Sequence, residues 1–193
     1  RIRGDLMSDN IFFNTSDLKK CGKNVIIGKT VRIRYPELVE IGDNVIIDDF
    51  SYISTELKIS SNVHISAGCK IIGGKGAFVS FDRFSTLSPN VVIAAGSDDY
   101  FSGIATPMIP SEYKGNFQVG SVEINKHCIV GSNSTILPNV ILNVGSSVGA
   151  NSLVNKNLKA WVLYAGVPVR KIKDRDMKEI LNLEKKYLDS INE

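Results

Sequence analysis

The sequence predicts an all-β solenoid of short strands wound into stacked coils, broken by one long loop excursion and followed by a C-terminal α-helix. Three observations carry this prediction. Aliphatic residues recur every six positions, a small or slim residue stands four positions after most of them, and beyond residue 174 the apolar spacing changes to three and four. An amphipathic helix repeats every 3.6 residues and a half-buried strand every two, so a six-residue beat belongs to neither. Repetition at a fixed period marks folds in which each unit buries its apolar face only against its neighbours.

Taken in order, residues 1–24 form an N-terminal segment outside the beat. Met7 is a candidate initiator, and "RIRGDLM" lacks the apolar core of a secretory signal. Ile27 and Ile33 open the series. After two extra residues around Pro36 it runs through Ile41, Ile47, Ile53, Ile59, Ile65 and Ile71, with Val45, Ser51, Leu57, Val63 and Cys69 as companions. The residues "GGKG", Gly73 to Gly76, then intervene; a bulging corner explains them, and they are too few for a phosphate cradle.

Phe81, Leu87 and Ile93 follow, and then Ala94 to Val122 interrupts the beat. A loop of that length in a compact domain is functional or disordered, and its aromatics and two prolines favour an ordered excursion. The beat resumes through Ile124, Val130, Ile136, Leu142, Val148 and Val154, with Ser134, Val140, Ser146 and Ser152 as companions, for seventeen hexads in all. The solenoid domain is expected over 25–173 and the helix over 174–193. Met177, Ile180, Leu181, Leu183, Tyr187, Leu188 and Ile191 give that helix one apolar stripe, with which it would cap the open end of the coil.

Two further features fit this architecture. Gly28, Gly42, Gly131 and Gly149 each follow an inward aliphatic where the chain nears a corner, and Gly or Asn tolerates the positive φ that corners require. Cys21, Cys69 and Cys128 all fall on expected inward positions, where a thiol acts as a small hydrophobe. Three scattered cysteines do not make a disulfide framework, which points to a reducing, cytoplasmic setting.

Composition excludes several function classes. At 193 residues, 43% hydrophobic and 22% charged, the chain has the make-up of a globular domain. A net charge of +3 is too slight to imply nucleic acid, and no apolar run reaches the roughly 20 residues that cross a bilayer. Two histidines in unlike contexts do not build a three-histidine zinc shell, and no P-loop, Rossmann or Ser-His-Asp pattern occurs. No metal is expected.

Hexads of the form aliphatic-Gly-x-x-small-x, from Val25 to about Arg175, resemble the hexapeptide-repeat acyltransferases. The resemblance implies a left-handed parallel β-helix with three hexads per turn, hence five to six coils, and homotrimers with active sites between subunits. "SDDYFSG", "HCIVGSNSTILPNV" and "WVLYAGVPVRKIK" before a Leu/Glu/Lys helix are most similar to bacterial nucleotide-sugar N-acetyltransferases, such as those acting on dTDP-4-amino-4,6-dideoxyglucose in O-antigen and surface polysaccharide assembly.

That resemblance implies acetyl-CoA as cosubstrate, contacted near "GANS" by Gly149, Ala150 and Ser152, with Gly131 one coil earlier. Lys156, Arg170, Lys171 and Lys173, with Lys159 and Arg175 nearby, suit its anionic nucleotide. In related sugar O-acetyltransferases a segment like "SPNVVIAAG" leads into a catalytic histidine, but here the aligned position is Asp98, flanked by Ser97 and Asp99. A sugar hydroxyl is a weak acid and leans on general-base help of about 10²–10⁴-fold, whereas a neutral amine attacks a thioester once a carboxylate orients it. Asp98, with Asp99, therefore favours N-acylation.

His64 should face outward, either approaching Asp98 of another subunit or packing at the trimer interface. His127 falls on a turn. Two rival functions remain: a sugar O-acetyltransferase with His64 as base, and a non-enzymatic β-helix scaffold.

Overall fold

The computed structural model describes residues 14–192. Most of the N-terminal segment, including Met7, lies outside the described residues. The chain forms a three-sided prism. One face, called face I, stacks Val25–Ile27, Val45–Ile47, Val63–Ile65, Thr86–Leu87, Ile129–Val130, Ser147–Val148 and Val162–Ala165 as seven parallel strands. Face II carries Arg32–Ile33, the starts of Tyr52–Ile59 and Lys70–Phe81, then Val92–Ala94, Thr135–Ile136 and Leu153–Val154. Face III begins at Lys20–Cys21 and continues through Val39–Ile41, the ends of the two long strands, Ser121–Ile124 and Val140–Leu142, closing with a bridge to Leu158.

Seven coils result, rather than the five to six expected from seventeen hexads. The first coil starts at Lys20, and the last is built by Leu158, Val162 and Tyr164, offset from the earlier series because Leu158 follows Val154 by four residues rather than six.

Register explains the beat. Ile47 pairs with Ile27 and Ile65, Ile71 with Ile53 and Ile93, and Ile59 with Ile41 and Phe81, so like stacks on like and every inward chain is almost fully buried. Each such side chain contributes roughly 1.5–3 kcal/mol of transfer free energy. Small companions stand where the prism narrows: the hydroxyl of Ser134 donates to Gly149 O at 3.0 Å and accepts from Ser152 N at 3.1 Å, satisfying backbone groups inside a corner.

At three of these corners positive φ belongs to the asparagine two residues after the glycine, at Asn44, Asn133 and Asn151. Gly28, Gly42, Gly131 and Gly149 do something else. A Cβ on Gly131 would lie 2.5 Å from Ala150 N, and one on Gly42 2.9 Å from Ser61 N, so these glycines let the next coil's turn close onto the backbone.

Two expectations need correcting. Cys21 is exposed, because it lies in the first described coil, while Cys69 and Cys128 are buried as expected. The helix Met177–Asn192 does not cap the open end. There the strand Arg170–Asp174 turns back antiparallel on Val162–Ala165, and the helix runs along the edge between faces III and I. Asp176 caps its N-terminus, accepting from Glu179 N at 3.0 Å. Further along it, Glu184 meets Lys126 and His127, and Tyr187 OH accepts from Asn62 Nδ2 at 3.1 Å. On face I the antiparallel strand already covers the backbone groups that a cap would have protected. No helix of the described residues is long and apolar enough to cross a membrane.

Candidate active site

All three departures from the six-residue beat fall on one edge, between faces II and III. Pro36–Leu38 forms a 3-10 turn there, Gly73–Gly76 bulges out of the strand Lys70–Phe81, and the excursion leaves after Val92–Ala94. The excursion is ordered at its base, where Gly96–Ser97 pairs antiparallel with Gln118–Val119, and it carries a 3-10 turn at Ser111–Tyr113.

Asp98 stands just past that base. It lines a groove of about 370 Å³ with Gly73, Gly74, Lys75, Phe117 and Gln118, and borders a second groove of about 330 Å³ with Tyr100, Phe101 and Asn116. Among the described residues its carboxylate has no hydrogen-bond partner, and the residue is exposed. The "GGKG" corner, which sequence reasoning set aside, is therefore a wall of the Asp98 groove.

Asp99 is placed differently. Its Oδ1 accepts from Phe101 N at 2.8 Å and Ser102 N at 3.1 Å; its Oδ2 accepts from Ser102 Oγ at 2.7 Å and Asn116 N at 3.0 Å. The Asn116 and Phe101 N–H groups, then the Ser102 hydroxyl and N–H, hold this carboxyl far below the usual carboxylate range. It ties the two limbs of the excursion together and so fixes the backbone that presents Asp98.

His64 projects from the middle of a face I strand, not from a corner. Its Nε2–H donates to Asp48 Oδ2 at 2.7 Å. Face II separates it from the Asp98 edge, so one subunit does not bring the two together.

His127 takes positive φ at a corner, stacks on Phe84 with centroids 5.3 Å apart, and bonds Glu184 at 2.8 Å. Burial disfavours the charge on Glu184, but Lys126 and His127 outweigh it and leave the carboxyl below its ordinary range. This histidine anchors the helix.

The residues expected to hold the cosubstrate divide between two places. Gly131, Gly149 and Ala150 follow face I strands along the edge between faces I and II. Ser152 lies behind them, buried, its hydroxyl accepting from Gly166 N at 3.0 Å. Arg170, Lys171 and Lys173 are exposed on the antiparallel strand above, with Lys171 paired to Asp174 at 2.7 Å. Lys156 stands on the far side of face II, after Val154. Arg175 is a correction: it is partly buried, and its Nη1 donates to His127 O at 2.8 Å and Gly145 O at 2.7 Å, tying the helix base to the coils. Sequence reasoning also passed over Ser88, which stands next to Gly131 on this edge, its N–H donating to Val130 O at 2.9 Å.

No family model matches the chain. It is 35% identical over 187 residues to the dTDP-4-amino-4,6-dideoxy-D-glucose acyltransferase of Escherichia coli, covering 94% of this chain and 95% of that one. The chain belongs to this acyltransferase family. Solved structures agree: AntD, an N-acyltransferase from Bacillus cereus, is 39% identical, with a TM-score of 0.88 over 92% of this chain and 94% of its own in the complex with dTDP and 3-hydroxybutyryl-CoA. Another AntD complex holds dTDP-4-amino-4,6-dideoxyglucose and coenzyme A, at a TM-score of 0.86 over 90% of this chain and 92% of that one. The AntD forms include replacements of one serine and of one aspartate ten residues farther along. The galactoside O-acetyltransferase of Escherichia coli is more distant, 28% identical over 77% of this acyltransferase and 79% of its own length.

Proposed function

We propose that this acyltransferase moves the acetyl group of acetyl-CoA onto the amine of a nucleotide-linked amino-deoxy sugar, best matched by dTDP-4-amino-4,6-dideoxyglucose, in surface polysaccharide assembly. The observation that carries the reading is the unpartnered Asp98 carboxylate at the mouth of an open groove, where a hydroxyl acceptor would call for a histidine. In a ternary complex the amine nitrogen attacks the thioester carbonyl. The C–N bond forms, the C–S bond breaks, and the surplus amine proton passes by way of Asp98 to the departing sulfur, so that coenzyme A leaves as its thiol and Asp98 returns to its carboxylate. Backbone N–H groups steady the oxyanion.

Asp99 serves as a positioning residue through the hydrogen bonds that hold the excursion. Ser88 joins the site residues, because Ser88 and Asp98 repeat the ten-residue spacing of the serine and aspartate replaced in AntD. Gly131, Gly149, Ala150 and Ser152 of one copy shape the edge along which the pantetheine arm lies, Arg170, Lys171 and Lys173 of that copy meet its phosphates, and a neighbouring copy in the trimer supplies the Asp98 edge and Lys156, which face II separates from them within a single chain. An acyl-cysteine route has little support, since burial pushes the Cys69 thiol up to about 11 and raises that of Cys128.

Assembly as a homotrimer is part of the proposal. The excursion presents Tyr100, Phe101 and Met108 with 88%, 101% and 87% exposure, apolar surface that a neighbouring copy would cover. Such packing would also bring His64 of one copy toward Asp98 of another. A second reading, O-acetyl transfer, draws on the Asp48–His64 pair, in which a carboxylate orients an imidazole whose other nitrogen is left to act as base.

Mass spectrometry of the product from acetyl-CoA and dTDP-4-amino-4,6-dideoxyglucose decides between them. The proposal expects one acetyl group in an amide that resists hydroxylamine. A hydroxylamine-labile ester would select O-acetylation, and absence of coenzyme A binding by calorimetry would select a scaffold.

A further inference from the structure

The edge that carries Asp98 also carries a cationic patch that acetyl transfer does not require. Lys75 sits at the tip of the bulge between Gly74 and Gly76, whose φ values of 79° and 91° lie in the left-handed region. A Cβ on Gly74 would meet nothing within 4 Å, so the bulge stands clear of the coils. Tyr35 opens the other short insertion, on the same edge two coils below. Lys75 Nζ lies 5.1 Å and Arg34 Cζ 5.4 Å from the Tyr35 ring centroid, so one ring holds two cations. Arg34 also interacts electrostatically with Tyr52. Against these charges stands Glu37, only loosely paired with Lys75 at 3.8 Å. The outward row of face II beside the patch adds Arg32 and Lys70 on either side of Tyr52.

Two like charges gathered on one half-buried ring repel each other, and an anion between them relieves that repulsion. Lys75 lines the same groove as Asp98. An anion held by Lys75 and Arg34 is thus joined to whatever reacts at Asp98 by the length of that groove. We infer that Arg34 and Lys75, ordered by the Tyr35 ring, form the subsite for the diphosphate of the acceptor nucleotide, with the sugar running from Lys75 to Asp98. This rests on the reading of Asp98 as the place where the acceptor amine reacts. Arg34 and Lys75 are specificity-determining, since they hold a part of the substrate that does not react; Tyr35 is a positioning residue.

Calorimetry with dTDP alone tests the subsite without depending on catalysis. Arg34→Met and Lys75→Met should each weaken dTDP binding about tenfold or more, as expected for a lost charge-assisted contact. Coenzyme A affinity should stay the same, and Lys75→Arg should restore most of the binding. Lys185→Met, on the helix, removes the same charge elsewhere and should leave dTDP binding as it was. With the nucleotide sugar, the two methionine variants should raise KM while kcat holds, the pattern of lost uniform binding.

Wild-type dTDP affinity in both methionine variants would overturn the subsite even if acetyl transfer proceeds, and so would equal weakening by Lys185→Met. Failure of the amide assay with dTDP binding still dependent on Arg34 and Lys75 would overturn the acetyl-transfer reading and support the subsite.

Discussion

Two edges of the same prism are built from the same coils and end up with opposite characters. Between faces III and I the corner residues Phe84, His127 and Trp161 form a ladder, and the C-terminal helix lies over it. Gly145 belongs to that ladder because the Trp161 ring rests where its Cβ would be, 2.2 Å from Cε3. Glu184 is partnered there by Lys126 and His127 and Arg175 by two carbonyls, while the guanidinium of Arg83 lies over the Phe84 ring with its buried Nε lacking a hydrogen-bond partner among the described residues. Between faces II and III the corners are lengthened by insertions, and Asp98, Lys75 and Arg34 face open grooves or solvent. On the proposed reading, a regular solenoid places chemistry where its period fails, and the histidine–carboxylate pair on the sealed edge is architecture.

The comparison is broken most heavily through the core that both edges share. Ile93 is fully buried beneath the root of the excursion. Ile93→Ala should cost about 2–5 kcal/mol, read as a lowered urea midpoint, with activity lost at correspondingly lower temperature. Little change would mean that the coils relax independently of one another.

A smaller loss, about 1–3 kcal/mol, should follow His127→Ala, which removes the stack on Phe84 and leaves Glu184 short of a partner. Its kcat/KM at 25 °C should stay within about twofold of wild type. A large rate loss would move the catalytic edge to this side.

Acid sharpens the same contrast. Burial opposes ionisation of Glu184, yet Lys126 and His127 prevail and lower its pKa in the fold. The unfolded chain therefore binds this proton more readily. The stabilisation is complete above the unfolded glutamate value of about 4.3 and is lost as pH falls through the lower folded value. Glu184→Gln should reduce Tm at neutral pH and flatten its decline on acidification, as a melting series from pH 7 to pH 3 would record. An unchanged acid limb would remove Glu184 from the account.

The smallest effect concerns thiols. In native protein a disulfide reagent should titrate Cys21 promptly and Cys69 and Cys128 only on unfolding, because burial keeps the latter two protonated. Three fast thiols would contradict the packing of the core.

The solenoid was legible in the sequence because one physical requirement, an inward aliphatic at each corner of a triangle, leaves a six-residue mark that other folds do not. The final coil escaped notice because Leu158 follows Val154 by four residues rather than six, which moves Leu158 and Tyr164 off the series that ends at Val154. Cys21 misled because the beat gives the direction of a side chain within a coil and not the presence of a coil on both sides. Asp98 stood out in the sequence as a departure from a histidine pattern, and its role rests on the proposal.

Asp99 looked equivalent in the sequence, and only the turn geometry separates a carboxylate that accepts four hydrogen bonds from one that accepts none among the described residues. Lys75 and Tyr35 were hidden because their meeting depends on two insertions, forty residues apart, falling on one edge.

The division between the two edges is tested most directly by Asp98→Asn, assayed together for kcat/KM on dTDP-4-amino-4,6-dideoxyglucose and for Tm. The account predicts a rate reduced by about 10²–10⁴-fold with Tm unchanged. A variant that keeps wild-type turnover, or that loses activity only in proportion to a lowered Tm, would contradict it.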